Sequence, residues 1–229
     1  MSDKSHKQFL CSNCEWHKLS LLSDFCERNV QDSDRHRISN HYKRNQSLFA
    51  EGSYPRGVFC LNHGKVKVFT RGDEGKEQII HIAKAGEIIG FRAMFSGGEY
   101  KVSATALEDC TICFIGKEEF LSIIDTNPAI RNDIIRELSK ELGERAIFIT
   151  NIAQKTVRER LAFALTILGD VYGEDQINLT REDMANFIGI ATETLIRLLK
   201  DFKEEGLIDI HNRKLEIISK EKLLVIAGK

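Results

Sequence analysis

Residues 192–200, Thr-Glu-Thr-Leu-Ile-Arg-Leu-Leu-Lys, carry side chains of the types that read base pairs. On a helix, Leu195, Leu198, Leu199 and Phe202 recur at i, i+3, i+4 and i+7 and turn inward. Thr192, Glu193, Ile196, Arg197 and Lys200 are left on the outer face. An arginine there can donate two hydrogen bonds to guanine, a glutamate can accept from cytosine N4, and a lysine one turn further on meets phosphate. A second set of reactive residues is made of thiols. Cys11 and Cys14 form a C-x2-C pair, with His17 close by and Cys26 twelve residues after Cys14. Three sulfurs and an imidazole suit a structural zinc site, and C-x2-C alone suits a thiol–disulfide switch. Cys60 and Cys110 fall inside apolar β-like runs, where a cysteine behaves as a small buried residue.

The helix bearing Glu193 and Arg197 needs a partner and a turn. Thr180 followed by Asp183 supplies a capping pair for a short first helix, and Gly189 permits a sharp turn before the second. Gly206 ends the second helix. Residues 207–210 and 214–218 then alternate like two short strands around His211, Asn212 and Arg213. This is the pattern of a helix-turn-helix followed by a wing; its alternative is an ordinary helical hairpin with a solvated charged face. The formal net charge of −1 gives no overall attraction to DNA. Binding must therefore come from Arg197, Lys200, Lys203, Arg213 and Lys214, doubled in a dimer.

Upstream, residues 57–61, 65–69, 77–82 and 110–115 are β-like runs separated by glycines, which indicates a compact antiparallel barrel or jelly roll. After Pro128 a helical pattern continues without a break to about Ile152, a rod of about 35 Å at 1.5 Å per residue. Leu138, Leu142, Arg145, Ile149 and Ile152 follow steps of four and three along one seam, which suits a twofold pairing of two copies. The alternative is a helix that packs on its own barrel.

With 42% hydrophobic and 29% charged residues, the 229-residue chain is long enough for two domains. No apolar run reaches bilayer length and no signal-peptide core follows Met1, so no membrane role and a cytoplasmic location are expected. The seven histidines show no paired metal spacing. Fingerprints of a nucleophile elbow, a phosphate loop or a dinucleotide fold are missing, so the chain reads as no enzyme.

The order of these elements resembles the CRP/FNR superfamily of bacterial transcription regulators over essentially the full length. The specific motifs are Gly86-Glu87-Ile88-Ile89-Gly90-Phe91 with Ser96-Gly97, Arg158-Glu159-Arg160-Leu161-Ala162, and residues 192–199. The resemblance implies an α+β fold in three parts. Residues 1–127 form a sensor region with a β-roll core at about 38–120, residues 128–153 a dimerisation helix, and residues 154–229 a winged helix-turn-helix. It further implies a homodimer on a pseudo-palindromic site in double-stranded DNA, and contact with RNA polymerase. Glu193 and Arg197 match the family's readers of a G·C pair. Ile196 stands where the FNR branch has serine, and Ala191 where the family has a Ser or Thr cap.

The same comparison disfavours cyclic AMP as a ligand. Phe91 occupies the place of a ribose-binding glutamate, and Lys101-Val102 that of an Arg-Ser phosphate pair. The FNR branch instead holds a [4Fe-4S] iron-sulfur cluster on four cysteines and responds to oxygen. Its ligand positions correspond here to Cys11, Cys14, Cys26 and Cys113, soft donors of the kind such clusters require. The loop to Cys26 is longer than is usual in this branch, which costs little closure entropy. The readings left open beside this one are a regulator of the same family without a cluster, sensing another small ligand or thiol redox state, and one with a structural zinc.

Overall fold

The structure, a computed structural model, describes residues 38–72 and 74–228. Cys11, Cys14, His17 and Cys26 lie outside the described residues. By compactness the described chain divides into two units, residues 38–68 with 83–139, and residues 69–82 with 140–228.

The β-roll expected from glycine-separated runs is present as two four-stranded sheets. One orders β1 (Ile38–Tyr42), β8 (Cys110–Gly116), β3 (Gly57–His63) and β6 (Ile88–Ile89); the other orders β2 (Ser47–Phe49), β7 (Ser103–Ala106), β4 (Lys65–Arg71) and β5 (Glu77–Lys84). Alternation along β3 and β8 sorts their side chains to two faces. Phe59, Leu61 and Ile112 are buried on one face, and the Phe59 ring lies 5.6 Å from Phe49 of the other sheet. On the opposite face Val58 and Ile115 join a core cluster with Ile88, Phe91, Met94, Phe120, Ile124, Ile130 and Ile134. That cluster lies under three helices, α1 (Phe91–Ser96), α2 (Lys117–Thr126) and the start of α3 (Pro128–Gln154).

The helix entries follow from local chemistry. Gly90 opens α1 at φ 92°, and a Cβ placed there would sit 3.2 Å from the Tyr100 hydroxyl, so both the backbone and the space call for glycine. Pro128 occupies the first position of α3, as its fixed φ favours. Asn127 Oδ1 accepts from the amides of Ala129 (3.2 Å) and Ile130 (3.3 Å), a cap the sequence reading did not name.

In the second unit, α4 (Val157–Tyr172) begins with a complete capping box. Thr156 Oγ1 accepts from Glu159 N at 3.3 Å, and Glu159 Oε2 accepts from Thr156 N at 2.7 Å. Thr156→Ala is expected to cost about 1 kcal/mol of stability, measured as a shifted urea midpoint at unchanged slope. Next come α5 (Arg181–Ile188), α6 (Thr192–Glu204), β9 (Ile208–His211), β10 (Lys214–Ile217) and α7 (Lys220–Ile226).

Candidate nucleic-acid interface

Thr180 Oγ1 accepts from Asp183 N at 2.9 Å, so the expected cap starts α5. Gly189 ends that helix at φ 76°, and its amide donates to Ala185 O at 2.8 Å. Leu195, Leu199 and Phe202 of α6 are buried, as are Met184, Ala185, Phe187 and Ile188 of α5, and the two helices pack on each other. Leu198 is only half-buried, at the edge of this face. Glu193, Arg197 and Lys200 are exposed and Ile196 is 54% exposed, while Thr192 is half-buried at the first turn. Ala191 contributes no side-chain cap.

Glu193 and Arg197 stand one turn apart on the same side of α6. Neither is engaged in an ion pair or side-chain hydrogen bond with a described residue. Lys200 lies 3.7 Å from Glu204, an exposed pair of little energetic weight. The outer surface of α6 therefore presents one acceptor, one two-pronged donor and one cation along its length, with an aliphatic group between the first two.

The wing is a two-residue hairpin. Lys214 pairs with His211 and Leu215 with Ile210, and the turn residues Asn212 and Arg213 both adopt positive φ, 50° and 69°. These are the dihedrals of the turn type that matches strand twist, and they put Arg213 at the exposed tip. Lys203, also expected to face DNA, is held at the base of the wing. Its Nζ lies 2.9 Å from Asp209, with the lysine side chain half-exposed.

Arg158 fixes the far end of α6. Its guanidinium meets both Glu205 oxygens (2.8 and 2.5 Å) and lies 4.8 Å from the centre of the Phe202 ring. Its side-chain bonds hold the Glu205 carboxyl below the usual carboxylate range. Lys203, with the Ile210 amide and His211, lowers Asp209 to about 2. For groups depressed in the folded state, the contribution to stability is complete above their ordinary values, 4.5 for Glu205 and 3.8 for Asp209, and is lost as pH falls through the lowered ones, which for Asp209 is about 2. Melting temperature is therefore expected to fall over that acidic window, and Asp209→Asn should flatten the fall.

Sequence reasoning missed Gln78, on β5. Its Nε2 donates to the Asn186 carbonyl at 2.7 Å, and its Oε1 would stand 3.2 Å from a Cβ at Gly189, so one side chain braces the turn from behind. No local pattern marks such a contact, because the partners are more than a hundred residues apart in the chain.

The seam assigned to α3 divides. Leu142 (73%), Ile149 (66%) and Ile152 (38%) are exposed as expected. Leu138 instead packs against the chain's own core cluster, and Arg145 donates to the Ile80 carbonyl of β5. Those two residues thus also have contacts within their own chain, and both stay half-buried. Ile135, 56% exposed and seven residues before Leu142, belongs to the exposed row and was not named.

Of the four cysteines aligned with a cluster, only Cys113 is described. It is 7% exposed at the middle of β8. Among the described residues no group of three or more His, Cys, Asp or Glu could hold a metal ion, and no helix is long and apolar enough to cross a membrane.

Residues 39–127 match the cyclic nucleotide-binding domain, and residues 159–226 match the Crp-like helix-turn-helix domain. The chain is 27% identical over 228 residues to the fumarate and nitrate reduction regulatory protein of Vibrio cholerae, covering 95% of this chain and 90% of that one. It is 28% identical over 193 residues to electron transport regulator A of Shewanella oneidensis, covering 81% and 77%. A CooA variant from Carboxydothermus hydrogenoformans has the same fold, at a TM-score of 0.73 and 24% identity, over 91% of this chain and 95% of that one. Together the two domain matches span more than half of the sequence and follow the order β-roll, long helix, helix-turn-helix. The chain belongs to the CRP/FNR family of bacterial transcription regulators, and is a DNA-binding regulator rather than an enzyme.

Proposed function

We propose that the chain works in the cytoplasm as a homodimer on a pseudo-palindromic DNA site, with α6 of each subunit in a major groove. Glu193 accepts from cytosine and Arg197 donates to guanine of one G·C pair in each half-site. Ile196 meets a thymine methyl, Thr192 lies beside the bases at the first turn, and Lys200 and Arg213 meet phosphate. RNA polymerase is the further partner of the bound dimer. The observation that carries this reading is the division of α6, with one face closed by Leu195, Leu199 and Phe202 and the other open with Glu193, Ile196, Arg197 and Lys200. The test is titration of a labelled duplex containing an inverted repeat, at several salt concentrations. Binding that weakens steeply with salt yet still prefers the repeat over scrambled duplex supports it. Equal affinity for both duplexes would reject base readout.

We further propose that oxygen or redox state controls the regulator through a [4Fe-4S] cluster on Cys11, Cys14, Cys26 and Cys113. The support is the correspondence of these cysteines with the FNR branch, and the names of relatives concerned with fumarate and nitrate reduction and with electron transport. Cys113 fits as a donor, being a thiol held on a rigid central strand. The cluster would supply oxygen-sensitive sulfur-ligated iron, and the protein would supply the thiolates and a shielded surrounding. Cyclic AMP is not the signal in this reading. Phe91 is buried in the helix-side core and offers no acceptor, and Lys101 is exposed beside a half-buried Val102. Chain purified without oxygen should be brown and contain iron and acid-labile sulfide. A colourless chain carrying zinc would replace this reading with a structural metal site.

A further inference from the structure

Cys60 and Cys113 face each other across β3 and β8, paired directly by the antiparallel register, and the structure holds both as thiols. Directly opposed residues project from the same side of a sheet. The kind of pair follows from the ladder. Lys117 N donates to Arg56 O, which marks that position as hydrogen-bonded, and alternation by twos gives the same status to Val58 with Ile115 and to Cys60 with Cys113. Hydrogen-bonded pairs place their Cα atoms about 5.5 Å apart. Disulfides span Cα separations of about 4.4–6.8 Å, most often near 5.5–6 Å. The Cα spacing is thus within the bridging range, while the Cβ atoms of a hydrogen-bonded pair stand toward the far end of about 4.5–5.5 Å against the roughly 3.5–4.5 Å of a disulfide, so closure must also draw β3 and β8 together locally.

The two thiols are unequal. Cys60 is half-buried at the edge of the helix-side cluster, and Cys113 is buried. Beyond Cys113 in the same row the register sets Ser39, whose buried hydroxyl has no hydrogen-bond partner among the described residues. Cys110 offers a contrast within the same strand. Its thiol lies within reach of the Glu108 (3.2 Å) and Lys65 (3.4 Å) carbonyls, and burial pushes it up to about 11. Three positions from Cys113 on the same strand, Cys110 projects from the opposite face of the sheet, so it stands outside the opposed pair, whose outer member is Cys60 and inner member Cys113.

We propose that Cys60 and Cys113 form a peroxide-responsive dithiol that closes into a cross-strand disulfide. The Cys60 sulfur attacks one oxygen of hydrogen peroxide, the O–O bond breaks, and the departing hydroxide takes the thiol proton to become water, leaving Cys60 as a sulfenic acid. The Cys113 sulfur then attacks the sulfenic sulfur and the S–O bond breaks. The second hydroxide leaves with the Cys113 proton as water. Two thiols are oxidised and one peroxide is reduced, with one S–S bond formed. The proposal rests on sheet register alone and does not need the cluster. Where a cluster is present, the disulfide and the cluster compete for Cys113.

The test uses the full chain, reduced, exposed to hydrogen peroxide, alkylated under denaturing conditions and digested with trypsin without reduction. The expected product joins residues 57–65 to residues 102–117, with the link assigned by fragmentation to Cys113. Alkylation at Cys60 and Cys113 should be lost in equal proportion. Cys110→Ala keeps the link and Cys60→Ala abolishes it. Cys113→Ala abolishes it and leaves a Cys60 sulfenic acid that dimedone traps. The proposal is overturned if wild-type Cys60 and Cys113 remain alkylatable while other cysteines oxidise, or if the link runs through Cys110. Iron content separates this from the earlier reading. A link formed in chain that never carries iron removes the cluster and keeps the dithiol; iron with no link removes the dithiol alone.

Discussion

Arg197→Ala should lower affinity for an inverted-repeat duplex by about 30-fold to 20,000-fold. A bidentate arginine–guanine contact contributes about 1–3 kcal/mol of discrimination, and a dimer makes it twice. The loss should be confined to cognate DNA, because the proposed phosphate contacts of Lys200 and Arg213, on which non-specific binding would depend, are left in place. The folded chain should be unaffected, since Arg197 is exposed and carries no ion pair with a described residue. Lys200→Ala gives the opposite signature, a similar loss on both duplexes and a shallower salt dependence. The measurement is fluorescence anisotropy on cognate and scrambled duplexes at matched salt. Equal losses for Arg197→Ala on the two would show that the arginine meets backbone and that another residue reads the base.

The recognition helix was legible because its local cues, the missing cap at Ala191 aside, agreed. Thr180 and Asp183 cap, Gly189 turns, and the apolar residues of α6 hold one period; the structure keeps each of these. The wing was legible from alternation, although its turn depends on an arginine at φ 69°, which no propensity favours. Less visible were α1 and α7, six and seven residues long, too short for a helical period to declare itself. The own-chain contacts of Gln78, Leu138 and Arg145 were not legible for one reason: their partners are Asn186, the helix-side core and Ile80, which only the folded chain brings near. Cys60 reads in sequence as a buried β residue. Only the register of β3 against β8 shows that its neighbour is another cysteine.

The same distinction decides where a dimer can be broken without breaking the subunit. Ile135, Leu142 and Ile149 are seven residues apart along α3, the spacing of one coiled-coil position, and all three are exposed in the single chain. An apolar row of this kind costs the monomer solvation and is explained when a second copy covers it. Replacing Leu142 and Ile149 together by glutamate is expected to give a monomer by light scattering, with unchanged circular dichroism. Charge at these sites meets water in the monomer and a like charge in the pair. Cognate affinity should then fall by about 100-fold to 10,000-fold, because a half-site contact loses its tethered twin. Leu138→Glu supplies the contrast. Its side chain packs on the core cluster of its own chain, so that substitution should lower the melting temperature directly. A dimer that survives the Leu142 and Ile149 substitutions would place the twofold contact off this row, and the spacing of the two α6 helices would then need another explanation.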